Sequence, residues 1–299
     1  MIVQTGNRTD IPAFYSVWFS NRLKEGYVMV RNPFNPTSIT KYILDPSVVD
    51  LMVFCTKNPE PILKYMDLLE PYRQYWFVTI TPYGKTAAIV GAEHISWRYD
   101  PIFLDEEWTV EKHVETFRHM AEYLNGYTKT VVISFIDLYD KVKRNFPEAK
   151  TVPFETQMKM TEKIVEIAKE NGMIVKPCGE SKELEKTGAD CSGCMSRKVF
   201  ESAVGQNLVF PNIPRNRKEC ACFITADIGA YNTCQHFCKY CYANADRNAV
   251  IQAAKTHDSS SPLLIGNVQP EDKIHEAKQN SWIDPQMTFE SYLSGRNGF

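Results

Sequence analysis

The sequence predicts an α/β fold built as a (β/α) barrel, complete or partial. Three observations point there. Short β-branched and aromatic runs alternate with amphipathic stretches, the spacing of parallel βαβ units. Polar residues follow one strand run after another, as they do where a barrel builds its site at the C-terminal strand ends. The span to Asp227 suits a barrel of about 250 residues. An open doubly wound sheet is the alternative, because residues 81–93 leave room for a turn but hardly for a full helix.

The elements follow in order. Residues 2–5 read as a short strand. Residues 12–23 read as a helix, with Phe14, Trp18, Phe19 and Leu23 near helical spacing and Pro12 in the first turn. Residues 27–31 form a strand stopped by Asn32-Pro33, and residues 51–54 a buried strand stopped before Asn58-Pro59. A helix over 61–69 precedes a strand over 75–80, and a further strand over 93–99 ends at Asp100-Pro101. Thr109 caps a helix over 110–124 whose stripe is Val110, Val114, Phe117, Ala121 and Leu124. Residues 130–135 are a strand. The helix over 158–170 ends before Gly172, a natural C′ residue, and residues 173–176 form the strand that delivers Cys178. A last short strand near 222–225 precedes Asp227, and a helix follows over 242–254. The organisation is a main barrel part, 1–177, a cysteine-rich part completing it, 178–254, and a C-terminal extension, 255–299, with Trp282 as an anchor.

The strand ends carry Arg8-Thr9-Asp10, Asn32, Thr56-Lys57-Asn58, Tyr83, Arg98, Asp100, Asp137, Cys178, Glu180 and Asp227. Taken singly, Asn and Asp there serve turns and caps. Taken together on one rim they favour a site. Arg98 and Lys57 stand out because neither is a turn residue, and each suits a carboxylate or phosphate on an anionic small molecule. With Asp100 they are the candidate catalytic residues.

Composition bounds the rest. At 43% hydrophobic and 23% charged, the 299-residue chain matches soluble globular proteins and not a disordered or fibrous one. A net charge of -2 gives no basic field for long polyanions. No apolar run approaches the roughly 20 residues of a spanning helix, and residues 1–5 lack a basic, then apolar, leader. A cytoplasmic location with reduced thiols is expected, so disulfides are not the default use of the nine cysteines. Those cysteines are uneven. Cys55 is alone, and the other eight lie between Cys178 and Cys241, several of them two to four residues apart, as ligands are.

The chemistry concentrates in Cys234, Cys238 and Cys241, a C-x3-C-x2-C loop with Tyr240 before the last thiol. Three thiolates on one loop hold three corners of a [4Fe-4S] cubane and leave one iron open, where ferredoxin runs close it with a fourth cysteine. A structural zinc is the competing use, and it needs a fourth ligand such as Cys222 or His236. A loop between a strand and a helix favours the cluster.

The C-x3-C-x2-C spacing resembles the cluster loop of the radical S-adenosylmethionine superfamily. Longer motifs, at residues 6–15, 31–36, 54–59, 97–101, 134–139 and 227–234, resemble domain of unknown function family 1848. That prokaryotic family is regarded as radical-SAM-related and carries the cysteine motif near its C-terminus. The resemblance covers nearly the whole chain. It implies a radical enzyme of unknown substrate that cleaves S-adenosylmethionine reductively to a 5′-deoxyadenosyl radical. Flavodoxin or ferredoxin would serve as electron donor. It also implies a permuted barrel in which the cluster strand comes last and lies beside residues 2–5. Arg8, Thr9, Asp10, Tyr240 and Asp227 would then line the cofactor. Cys178, Cys191, Cys220 and Cys222 fit the family's additional cysteines and imply a second site, an auxiliary iron–sulfur cluster or a zinc. Cys194 is a further candidate through its C-x2-C spacing from Cys191. The chain departs from the family at Cys55, where members usually have Trp, and at residues 84–93, which are shorter. The competing function is a non-radical metal-binding protein: a zinc-stapled barrel hydrolase, or an iron–sulfur electron-transfer or sensor module.

Overall fold

A computed structural model describes residues 1–80, 92–212, 220, 222–223 and 226–286. The strands are β1 (Ile2–Gln4), β2 (Tyr27–Asn32), β3 (Asn35–Ile43), β4 (Leu51–Thr56), β5 (Gln74–Thr79), β6 (Ile95–Ile102), β7 (Thr130–Phe135), β8 (Ile174–Pro177), β9 (Ala226–Asp227) and β10 (Lys273–Glu276). The helices are α1 (Ile11–Phe14), α2 (Ser16–Glu25), α3 (Glu60–Leu63), α4 (Met66–Leu69), α5 (Val110–Tyr123), α6 (Asp140–Asn145), α7 (Phe154–Glu170), α8 (Arg197–Val204) and α9 (Arg247–Thr256).

Seven strands form one parallel sheet in the order β8-β7-β6-β5-β4-β1-β9. From β1 to β8 the chain crosses the sheet in one direction, without the reversal that defines a doubly wound sheet. Right-handed crossovers in a single direction put the connecting helices on one face. Among the described residues β8 and β9 do not pair, so the barrel is not closed. The last strand lies beside the first: Val3 pairs with Ala226 and Gln4 with Asp227.

Alternation along the strands builds two different faces. On the helix-covered face Val3, Met52, Phe54, Trp76 and Val78 pack with α1 to α4. Trp97, Tyr99, Val131, Ile133 and Val175 pack there with α5 and α7. Phe54 stacks on Trp76 at 4.1 Å and Trp97 on Phe117 at 4.8 Å. The opposite face carries Ile2, Leu51, Val53, Tyr75, Phe77 and Val132, covered by Cys194, Met195 and α8.

Several expectations need correction. The strand over 27–31 is real, but β2 pairs antiparallel with β3, and β10 adds parallel to β3. This separate sheet removes β2 from the barrel, leaving seven strands where about eight were expected. Asn32 is therefore a hairpin residue, whose Oδ1 accepts the Phe34 N–H at 2.9 Å, not a rim residue. The helices over 12–23 and 61–69 are each broken in two, at Tyr15 and at Lys64-Tyr65. Strand β6 runs through Pro101, and the helix after the cysteine loop begins at Arg247, capped by Asp246, not at 242. The short last strand falls at Ala226–Asp227, after the predicted 222–225. Tyr83 and most of the shortened stretch 84–93 lie outside the described residues. Among the described residues no helix is long and apolar enough to cross a membrane.

Candidate functional site

The site lies where the C-terminal ends of β1, β4, β6 and β9 converge. Gly6 makes the convergence of β1 and β4 tight, since a Cβ there would stand 2.4 Å from the Cys55 carbonyl oxygen. The β1 tip then turns into α1, with Asp10 as its N-cap, accepting the Ala13 N–H at 3.0 Å. The other Asp10 oxygen accepts the Lys57 N–H at 2.8 Å and lies 2.8 Å from His236 Nε2. One carboxylate thus ties the β1 tip, the β4 end and the cysteine loop together.

Arg8 and Asp227 hold each other. Arg8 Nε donates to Asp227 Oδ2 at 2.9 Å, its NH2 donates to the Asp227 carbonyl, and the guanidinium stands over the Tyr231 ring at 5.7 Å. Asp227 Oδ1 also accepts the Gly229 N–H at 2.8 Å. Thr9 is buried between these groups, and its Oγ1 has no partner among the described residues. An orphaned buried hydroxyl costs free energy unless something binds it. Beside Arg8 a cavity of about 320 Å³ is lined by Arg31, Gly229, Tyr231 and Leu263 among others.

The cysteine loop leaves β9 and is braced from several sides. Asn244 Nδ2 donates to the Cys234 carbonyl at 2.8 Å, Asn232 N–H to Ala243 O at 3.1 Å, and Tyr15 Oη to Thr233 O at 2.7 Å. Asn232 (φ 57°) and Phe237 (φ 53°) are both left-handed. That conformation is natural for Asn and costly for Phe, and such cost concentrates at functional loops. Burial pushes the Cys234 thiol up to about 12, against backbone N–H groups of His236 and Asp10 that favour the thiolate. Burial also raises Cys238, opposed by the nearby Lys57 charge. Lys57 Nζ lies 3.3 Å from Tyr240 Oη.

Arg98 and Asp100 lie deeper, on the face opposite the helices. Arg98 Nε donates to Asp100 at 3.1 Å, its NH2 donates to the same carboxylate, and the guanidinium covers the Phe77 ring at 5.7 Å. Burial pulls the Arg98 pKa down, but Asp100 and the thiols of Cys178 and Cys194 outweigh it and hold the group charged. Cys55 projects onto this face too, and burial drives its thiol up to about 12. Glu180 and Asp137 serve neighbouring backbone and side chains: Glu180 accepts the Phe135 N–H at 2.7 Å, and Asp137 accepts the Tyr139 hydroxyl at 3.0 Å.

Two of the three candidate cations, Arg8 and Arg98, are therefore matched by carboxylates of the chain itself, a pairing over 219 residues in the first case. The structure brings Cys178, Cys194 and Cys222 together and holds Cys191 apart, beside Glu185 and Asp190 in the α5–α7 core. Among the described residues no group of three or more His, Cys, Asp or Glu side chains is placed to hold a metal ion. Sequence reasoning missed His236 as a partner of Asp10, because nothing in its spacing marks a contact spanning 226 residues. It also missed Asn244 as the brace of Cys234.

Fold and site together define an α/β protein with an open, singly wound parallel sheet and a thiol- and arginine-lined face. The chain belongs to the family described as Domain of unknown function (DUF1848), whose model matches residues 2–88 and 85–243. No curated protein and no solved structure matches it.

Proposed function

We propose that the chain is a radical S-adenosylmethionine enzyme acting on a small, anionic molecule. The observation that carries this reading is a braced C-x3-C-x2-C loop at the end of β9, next to a β1 tip with an orphaned buried Thr9 hydroxyl. The donor set fits a [4Fe-4S] cluster: Cys234, Cys238 and Cys241 would hold three irons and leave the fourth open. When bound, such a cluster supplies the electron for reductive cleavage of S-adenosylmethionine to a 5′-deoxyadenosyl radical.

The chain's own residues have separate tasks. Asp10 and His236 set the loop against the β1 tip. Thr9 offers its hydroxyl to the cofactor, and the Arg8–Asp227 pair keeps that tip in register with β9. Lys57 and Tyr240 flank Cys238. Arg98 and Asp100, on the face opposite the helices, orient the substrate as a fixed ion pair. A permuted barrel accounts for a cluster strand that is last in sequence and beside the first in space. Flavodoxin or ferredoxin supplies the electron.

The test is anaerobic reconstitution with iron and sulfide, then dithionite and S-adenosylmethionine. Brown protein releasing 5′-deoxyadenosine supports the reading, and the Cys234/Cys238/Cys241→Ala variant abolishes release. A colourless protein with no release after reconstitution rejects it in favour of the non-radical metal-binding protein.

A further inference from the structure

Three thiols outside the cysteine loop meet at the gap in the barrel, and a fourth, Cys220, lies two residues from one of them. Cys178 directly follows β8, its N–H still donating to Ile133 O at 2.9 Å in the sheet ladder. Cys220 and Cys222 belong to the segment that leads into β9, at the opposite edge of the same sheet. Cys194 joins the two edges, its sulfur 3.6 Å from Cys178 Sγ and 3.4 Å from Cys222 Sγ. The Met195 N–H donates to Cys222 Sγ at 3.3 Å, as backbone amides do around thiolate metal sites. Cys220 lies two residues before Cys222 and offers a fourth thiol. The Arg98 guanidinium stands beside Cys178 and Cys194.

The spacing suits one tetrahedral metal ion and not a cubane. Zinc–sulfur bonds of about 2.3 Å in a tetrahedron put the sulfurs about 3.8 Å apart. The contacts of 3.4 and 3.6 Å are close to that edge. A cubane spreads its thiolates over separate irons and separates them much further. A disulfide needs about 2.05 Å, and all these cysteines are free thiols. Among the described residues no three His, Cys, Asp or Glu side chains are placed to hold a metal ion as they stand, so binding must draw these sulfurs together.

We infer that Cys178, Cys194, Cys220 and Cys222 form a structural tetrathiolate zinc site that clasps β8 to the segment entering β9. Four protein ligands fill the zinc and leave no open position, so the site holds shape and does no chemistry. The clasp stands in for the strand pairing that the open barrel lacks. It anchors β9, which makes only a two-residue ladder with β1 and carries the cysteine loop. Cys191 is not a ligand. The inference does not depend on the radical reading.

The test uses the full chain with Cys234, Cys238 and Cys241 changed to Ala, supplied with zinc and iron and then dialysed. Elemental analysis is expected to find about one zinc per chain and no iron. Adding Cys191→Ser should leave the zinc in place, and adding Cys194→Ser should remove it. Should Cys194→Ser misfold, cobalt substitution of the unmutated-thiol background is decisive, with tetrahedral cobalt–thiolate absorption expected. Iron in place of zinc, zinc loss with Cys191→Ser, an octahedral cobalt spectrum, or a Cys178–Cys194 disulfide by mass spectrometry would each overturn the inference. Retained zinc in an unmutated, reconstituted chain that fails to cleave S-adenosylmethionine would count against the radical reading alone.

Discussion

The two faces of the seven-stranded sheet use alternate residues of the same strands and do different work. The helix-covered face is apolar throughout: Val3, Phe54, Trp76, Trp97 and Ile133 lie within 1% of full burial. The other face is apolar at its base, with Ile2, Leu51 and Val132. Toward the C-terminal strand ends it gives way to Cys55, Arg98 and Asp100. One register step separates Phe54 from Cys55 and Trp97 from Arg98. The helix-covered face is packed with large apolar side chains, and the opposite face carries charge and thiols that packing alone would not select.

The largest test of this contrast is Phe54→Ala. Removing a fully buried ring stacked at 4.1 Å on Trp76 is expected to cost about 3–5 kcal/mol. It is read as a fall in the urea midpoint at unchanged slope. A loss below ~1 kcal/mol would break the claim that the helix-covered face carries the stability.

Gly6→Ala comes next. Its Cβ would stand 2.4 Å from the Cys55 carbonyl oxygen, a backbone atom that cannot swing away. Overpacking of about 1–3 kcal/mol is expected. The shifted β1 tip should also weaken S-adenosylmethionine binding about tenfold by calorimetry, equivalent to ~1.4 kcal/mol. Unchanged affinity would separate the β1 tip from the cofactor site.

The faces should also differ in pH dependence. On the face opposite the helices, burial raises the Cys55 thiol to about 12, so the folded chain holds that proton after the unfolded chain has released it. Stability is full below the unfolded thiol's ordinary range and falls as pH rises toward about 12. Cys55→Ala should remove one share of that alkaline loss, at most ~1.4 kcal/mol per pH unit. On the helix-covered side, burial lowers the pKa of His113, which lies 2.9 Å from Tyr99 Oη and 2.8 Å from Phe103 O. The unfolded chain then binds the proton first, so stability is full above about 6.5 and falls as pH drops below it. His113→Gln should flatten the acid limb of a Tm–pH profile, again by at most ~1.4 kcal/mol per pH unit. A steeper acid limb in that variant would reverse the assignment.

The smallest effect lies outside both faces. Lys41 pairs with Glu276 at 3.0 Å in the separate sheet, where both side chains meet water. Lys41→Ala should change stability by no more than ~0.5 kcal/mol in thermal melts. A larger loss would show that the separate sheet supports the main one.

Much of the architecture was legible along the chain. Strand β7 falls on the predicted 130–135, Thr109 caps α5 by accepting the Lys112 N–H at 3.2 Å, and Gly172 takes a φ of 70° after α7. These are local signals, carried by β-branching, capping oxygens and glycine's freedom. What was not legible depended on partners far away. A run such as residues 27–31 is a strand by propensity wherever it lies, but its membership of one sheet or another depends on β3. That strand's Pro-containing sequence, exposed only over its first three residues, gave no alternation signal. Likewise, Cys191 and Cys194 have equal standing as a C-x2-C pair. A turn in the 189–195 segment sends one into the helix-covered core and the other toward Cys178 and Cys222.

By itself, the sequence determined the α/β alternation, the apolar stripes, the caps and the concentration of thiols after Cys178. Each of these rests on interactions within a few residues or on simple periodicity. Only the tertiary structure decided that the sheet stays open, that β9 lies beside β1, and that Arg8 and Asp227 are spent on each other. The same holds for Asp10 as the brace of the cysteine loop and for Cys194 over Cys191. These depend on contacts between segments as far as 226 residues apart. Chain statistics carry no record of such contacts until burial forces each polar group to find its partner.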